Sequence, residues 1–223
     1  MVQMMKRDYM LNKIYFFFIL IGVPILYIFQ YIPTTMFIVM TLGLVFNVFF
    51  YEDRNHVTRA IISMPVSTSQ AVVARYIFIT LTAVCNMMYF AASSSIIKHY
   101  PNIIVGNPAS FQPLTISQGI LTLHITFILL AISLPFYYYF QSAYKSLIIQ
   151  GIVVFLSTLA FIIFINSRAL GVLANIPDWF IAKVMFFVEN PNITIGFGFV
   201  ISIACLYLSY IISFRFFTKR DII

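Results

Sequence analysis

The stretch Tyr51–Tyr76, YEDRNHVTRAIISMPVSTSQAVVARY, is the one substantial charged island inside an otherwise apolar chain. It holds Glu52, Asp53, Arg54, His56, Arg59 and Arg75. Two hydrophobic runs precede it and four follow. Soluble domains carry about 25% charged residues. This chain of 223 residues carries 9%, with 62% hydrophobic residues and a mean hydropathy of +0.99. A bilayer core about 30 Å thick asks a helix for roughly 17–25 apolar residues. The runs near residues 14–30, 35–51, 73–97, 116–139, 147–166 and 193–214 meet that demand. The expectation is an all-α membrane protein with six transmembrane helices in one domain over 1–223, the island marking a turn between the second and third spans.

The charge pattern orients such a chain. A net charge of +7 (13 basic, 6 acidic) would suggest nucleic acid for a soluble protein. In a membrane protein the positive-inside rule accounts for it without nucleic acid. With the N-terminus inside, the inner segments hold Lys6, Arg7, Lys13, Arg54, Arg59, Arg75, Lys145, Arg215, Lys219 and Arg220; the outer ones hold Lys98, Arg168 and Lys183. That bias places both termini in the cytoplasm. The start has no small-x-small cleavage site after its apolar run, so it does not read as a cleaved signal. Residues 1–13 set Met1, Met4, Met5 and Leu11 against Gln3, Lys6, Arg7 and Lys13, the period of an amphipathic helix on the inner leaflet.

The first span contains Pro24, tolerable in a membrane helix where neighbours satisfy the freed carbonyl. Lys98–Thr115 is proline-bearing, without periodicity, and reads as an external loop. Within 167–191, Pro177, Asp178 and Trp179 suit a helix start, predicting a short interfacial or re-entrant helix. The cluster Phe136–Phe140 at the end of the fourth span suits the headgroup region.

Catalytic patterns do not emerge. Lys145-Ser146 follows Tyr144, so it lacks the glycine of a P-loop, and Gly196-Phe197-Gly198 meets Ile201 where a dinucleotide fingerprint needs its third glycine. His56, His99 and His124 form no zinc-ligand spacing, and Cys85 and Cys205 sit in apolar runs as packing residues. Neither a metal nor a catalytic residue is expected, and the chain is not expected to be an enzyme. The acids Asp8, Glu52, Asp53, Asp178, Glu189 and Asp221 fall outside the middles of the spans. Self-powered transporters place ionisable groups at membrane depth, which disfavours one here. For Asn47, Asn86, His124 and Gln150, hydrogen bonding to a neighbouring helix outweighs substrate contact.

In the island, Pro65 breaks a helix begun near Val57, and Ser67 or Ser69 can cap one starting near Gln70. Helix, tight turn and helix make a blunt protrusion suited to a cleft on a partner. An ordinary capped inner loop fits that shape equally well.

The segment ISMPVSTSQAVVARY, residues 62–76, resembles the Leu-Pro-Val-Ser to Arg-Tyr signature of small bacterial permeases of the type 2 ABC exporter class. Met64 stands where leucine is usual and Thr68 where a basic residue is usual; Val72 or Val73, Arg75 and Tyr76 match. Tyr51-Glu52-Asp53 and Lys6-Arg7-Asp8 resemble the acidic loop start and the N-terminal Lys-Asp of that class. Within it, length and Phe/Ile/Asn-rich style are most similar to the membrane subunits of staphylococcal phenol-soluble modulin exporters. The resemblance implies a permease of the bacterial plasma membrane, paired with a second permease chain in a homo- or heterodimer. It also implies a cytoplasmic ABC ATPase as partner, which carries ATP and Mg; this chain binds no cofactor itself. Residues 1–13 correspond to a connecting helix, 52–72 to a coupling loop, and 167–191 to external re-entrant helices. The implied ATPase-coupling residues are Glu52, Asp53, Met64, Pro65, Val66, Ser67, Thr68, Ser69, Gln70, Arg75 and Tyr76. Driving a pore from 1:99 to 99:1 takes about 5.5 kcal/mol, which a chain without a nucleotide site cannot supply. The substrates expected are amphipathic peptides or other lipid-partitioned molecules; the pathway residues are unassigned. The competing expectation is an immunity or scaffold protein that binds such molecules without moving them.

Overall fold

The computed structural model describes residues 2–29, 33–54, 68–100, 102, 104, 111, 113–140, 142–152 and 191–220, and among them there is no strand. The labelled helices are α1 (Val2–Leu11), α2 (Lys13–Ile28), α3 (Pro33–Arg54), α4 (Thr68–His99), α5 (Ile116–Phe140) and α6 (Pro191–Arg220). Residues 143–152 are also helical. Thr35–Arg54, Ser69–His99, Ile116–Phe140 and Ile195–Lys219 are each long and apolar enough to span a bilayer. Helices α1 and α2 together make one further candidate, bent by 59°. The span expected at 147–166 begins in the helical segment and continues outside the described residues; the segment 167–191 lies almost wholly outside them.

Helix α4 is the mast of the bundle: it touches α1, α2, α3, α5 and α6. It buries Val72, Ile79, Ala83 and Phe90 along one face. Phe90 meets Phe37 of α3 edge-on at 5.5 Å and Tyr27 of α2 at 6.2 Å. Large apolar side chains such as Phe17, Phe18, Leu20 and Ile21 face outward from α2. In water that would be an association hazard; toward lipid it is the favourable arrangement.

Pro24 shows how the bilayer rewrites local rules. It has no N–H for the carbonyl of Leu20 one turn earlier. The Tyr89 hydroxyl of α4 donates to that carbonyl at 2.6 Å. The helix break is thereby turned into an interhelical bond.

Helix α1 does not continue straight into α2. Met4, Asp8 and Asn12 are buried at a four-residue spacing, while Gln3, Lys6 and Lys13 are exposed. The Asn12 side chain donates to the Asp8 carbonyl at 2.7 Å and accepts from Asn47 of α3, also at 2.7 Å. The bend is thus pinned at Asn12 to a neighbouring helix, in keeping with the expectation that Asn47 hydrogen-bonds a neighbouring helix.

Two sequence boundaries shift. Glu52, Asp53 and Arg54 form the last turn of α3 rather than the start of a loop, and α4 begins at Thr68 rather than near Gln70. The connection narrows to 55–67, which lies outside the described residues. Ser69 therefore does not cap α4: it is already inside the helix, and its hydroxyl bonds Tyr210 of α6 at 3.1 Å.

Candidate functional site

The ends of α3 and α4 flank the charged island, and what they present inward is charge. Arg75 sits two turns into α4 and is 4% exposed. Its guanidinium donates to Glu52 Oε2 from α3, and its Nε lies 3.6 Å from Asp8 Oδ2 of α1. Asp8 also holds Arg7 at 2.7 Å. The four groups alternate as Arg7, Asp8, Arg75 and Glu52, two cations with two anions, so their formal charges cancel. The Arg75 Cζ lies 4.9 Å from the centroid of the Phe49 ring, adding a cation–π contact. Burying ions away from water costs several kcal/mol each, so such groups persist only when mutually paired. Here the pairing joins three helices.

The cluster is closed. The gap beside it, lined by Met4, Glu52, Ala71, Val72, Arg75, Tyr138 and Phe217, measures about 10 Å³, at or below the space one water needs. It has no room for a substrate or a hydrated ion. Its chemistry is mechanical: it fixes how α1, α3 and α4 meet.

Neighbouring residues extend the junction. Asp53 points to a different partner from Glu52 and accepts from the Ala143 N–H at 3.3 Å, tying α3 to the helical segment after α5. The Tyr76 hydroxyl lies between Ser209 at 2.6 Å and Ser213 at 2.8 Å, one turn apart on α6. Phe49 stacks on Tyr137 of α5 at 4.5 Å, and Tyr138 meets Phe217 of α6 at 5.7 Å.

The structure therefore divides the sequence-predicted coupling residues into two groups. Glu52, Arg75 and Tyr76 are buried inside the bundle, with Asp53 and Ser69 half-buried at its rim and Gln70 exposed. Thr68 opens α4, and Met64, Pro65, Val66 and Ser67 lie outside the described residues. Sequence reasoning missed Asp8 as a partner of Arg75 and the pair Ser209 and Ser213 as partners of Tyr76. A signal for each was present: Asp8 falls on the same helical face as Met4, and the serines repeat at a four-residue spacing in an apolar run.

The exposed basic side chains Lys6, Arg54, Lys145, Arg215 and Lys219 gather at this same end of the bundle, while Lys98 lies at the far end of α4. Among the described residues no three metal-ligating side chains converge. Neither a curated protein nor a solved structure matches the chain. Residues 3–218 match the family described as ABC-2 family transporter protein. An all-helical, multi-pass chain with its charge concentrated at one end agrees with that match, and the protein belongs to the ABC-2 transporter family as a membrane component.

Proposed function

We propose that this chain is the permease subunit of an ATP-driven exporter, with its basic end in the cytoplasm of a bacterial cell. Two permease chains form the transmembrane unit, and a separate ABC ATPase, holding ATP and Mg, docks on the tip formed by Met64, Pro65, Val66, Ser67, Thr68, Ser69 and Gln70. Amphipathic peptides resembling phenol-soluble modulins are the substrates, taken from the lipid phase. The observation that carries the reading is the ion-paired junction of Arg7, Asp8, Arg75 and Glu52. A push on a loop is transmitted only if its base cannot yield, and this base is locked to α1 and α3 by paired buried charge. Glu52, Arg75 and Tyr76 act as the anchor beneath the tip, and the residues of the tip make the contact. Family membership supports an ATPase partner, and the resemblance of residues 62–76 supports export.

The test is to co-express the chain with its ATPase and substitute the tip, Pro65→Ala with Val66→Asp. ATPase co-purification should fall at least ten-fold and efflux of an amphipathic helical peptide should stop, with the thermal midpoint of the permease unchanged. Undiminished association and efflux would end the coupling reading.

A further inference from the structure

On the seam between α5 and α6, at the basic end of the bundle, a hollow of about 300 Å³ is lined by Pro135, Phe136, Tyr139, Phe140 and Phe216. That is the low end of the range for small-molecule sites. The walls are braced against each other. Phe136 stacks on Phe140 at 6.1 Å, and Tyr139 meets Phe140 at 4.8 Å and Phe216 at 5.0 Å. Among the described residues none of the lining side chains is charged, so a thin hydrocarbon group is the occupant this surface favours.

Its rim is different. Arg215 adjoins Phe216, and Lys219 lies one turn beyond Phe216 on the same side of α6; both are exposed. Lys145, also exposed, adjoins Ser146, whose hydroxyl donates to the Phe136 carbonyl at 3.1 Å. Asp53, the acid nearby on α3, is occupied by the Ala143 N–H. Among the described residues, three exposed cations thus lie within about one helical turn, along the chain, of residues that line the hollow or bond its wall, at helix ends, where a bilayer has its headgroups.

We infer that this hollow is a binding site for one anionic phospholipid, an acyl chain between the rings and the phosphate on Arg215, Lys219 and Lys145. A zwitterionic lipid could fill the hollow but gains less from the rim. A cationic amphipathic peptide is repelled by it. The inference concerns a lipid bound to the permease and stands independently of what the permease exports.

The full chain, reconstituted in phosphatidylcholine nanodiscs, is exposed to phosphatidylglycerol carrying a photoactivatable diazirine on one acyl chain. Adducts are expected on residues 135–140 and on Phe216. Unlabelled phosphatidylglycerol should compete at a concentration several-fold below that of phosphatidylcholine. Each basic residue near an anionic lipid contributes about five-fold in binding, so Arg215→Gln and Lys219→Gln should each erode the preference by about that factor. Should those variants fold poorly, the unmodified chain still decides the matter: labelling should fall as salt rises from 0.05 to about 0.5 M, because screening weakens exposed charge pairs. Equal competition by the two lipids, labelling indifferent to salt, or adducts confined to other helices would overturn the site. So would stronger displacement by an amphipathic cationic peptide than by phosphatidylglycerol.

Discussion

Two junctions in this bundle bring helices together by contrary means. Beneath the charged island, α1, α3 and α4 meet through Arg7, Asp8, Arg75 and Glu52, held by charge. Along the seam of α5 and α6, His124 faces Gly198 so closely that a Cβ there would stand 2.9 Å from the imidazole Nδ1. That seam is held by shape, with Phe199 adding a ring contact to His124 at 6.2 Å. Lipid tails are as apolar as leucine, so hydrophobicity alone does not join helices in a membrane, and both junctions use what remains: polar bonding and close packing. The contrast lies in how each fails. A charge junction fails when one partner is lost, because the other ions stay buried. A packed seam fails when something is added.

The largest effect is expected from Arg75→Met. It takes away the buried cation that Asp8 and Glu52 share, and removing one partner of a buried pair costs about 3–5 kcal/mol. The thermal midpoint of the purified chain should drop steeply. Combining Arg75→Met with Asp8→Asn and Glu52→Gln should recover most of the loss, and failure to recover would show that the junction is more than charge pairing.

Gly198→Val probes the other side. The added side chain must displace the buried His124 ring, and overpacking of this kind costs about 1–3 kcal/mol. His124→Ala in the same chain should relieve much of it. A valine tolerated without loss would mean the seam has slack, and the contrast between the junctions would collapse.

The smallest effect belongs to Tyr76→Phe, which removes a hydroxyl shared with Ser209 and Ser213. Interhelical side-chain hydrogen bonds in membranes average about 0.6 kcal/mol and reach about 1.7. A double-mutant cycle with Ser209→Ala measures the coupling. A value above that range would place this bond with the charge junction in importance.

The described long helices were legible in the sequence because apolar length has few other meanings. Their ends at the island were less so. Glu52 and Arg75 read as coupling residues of a loop, whereas α3 continues to Arg54 and α4 starts at Thr68, with the two residues paired to each other and Arg75 to Asp8 inside the bundle. Ser69 offers a cap by local rules, yet Tyr210 of α6 takes its hydroxyl, a partner no local pattern reveals. Gly198 was weighed as part of a nucleotide fingerprint, whereas in the fold it is a place where an imidazole presses on a backbone. In each case the residue's task is set by an element distant in sequence.

The bend at Asn12 carries a consequence for how the chain is made. Asp8 emerges from the ribosome long before Arg75, and Asn12 long before Asn47, so neither bond that holds α1 exists while α2 enters the bilayer. The first helix can gain its bond to Asn47 only once α3 is made, and its ion pair to Arg75 only once α4 is made. Its docking is thus a late event in biogenesis, and its burial reports that the first four helices have assembled.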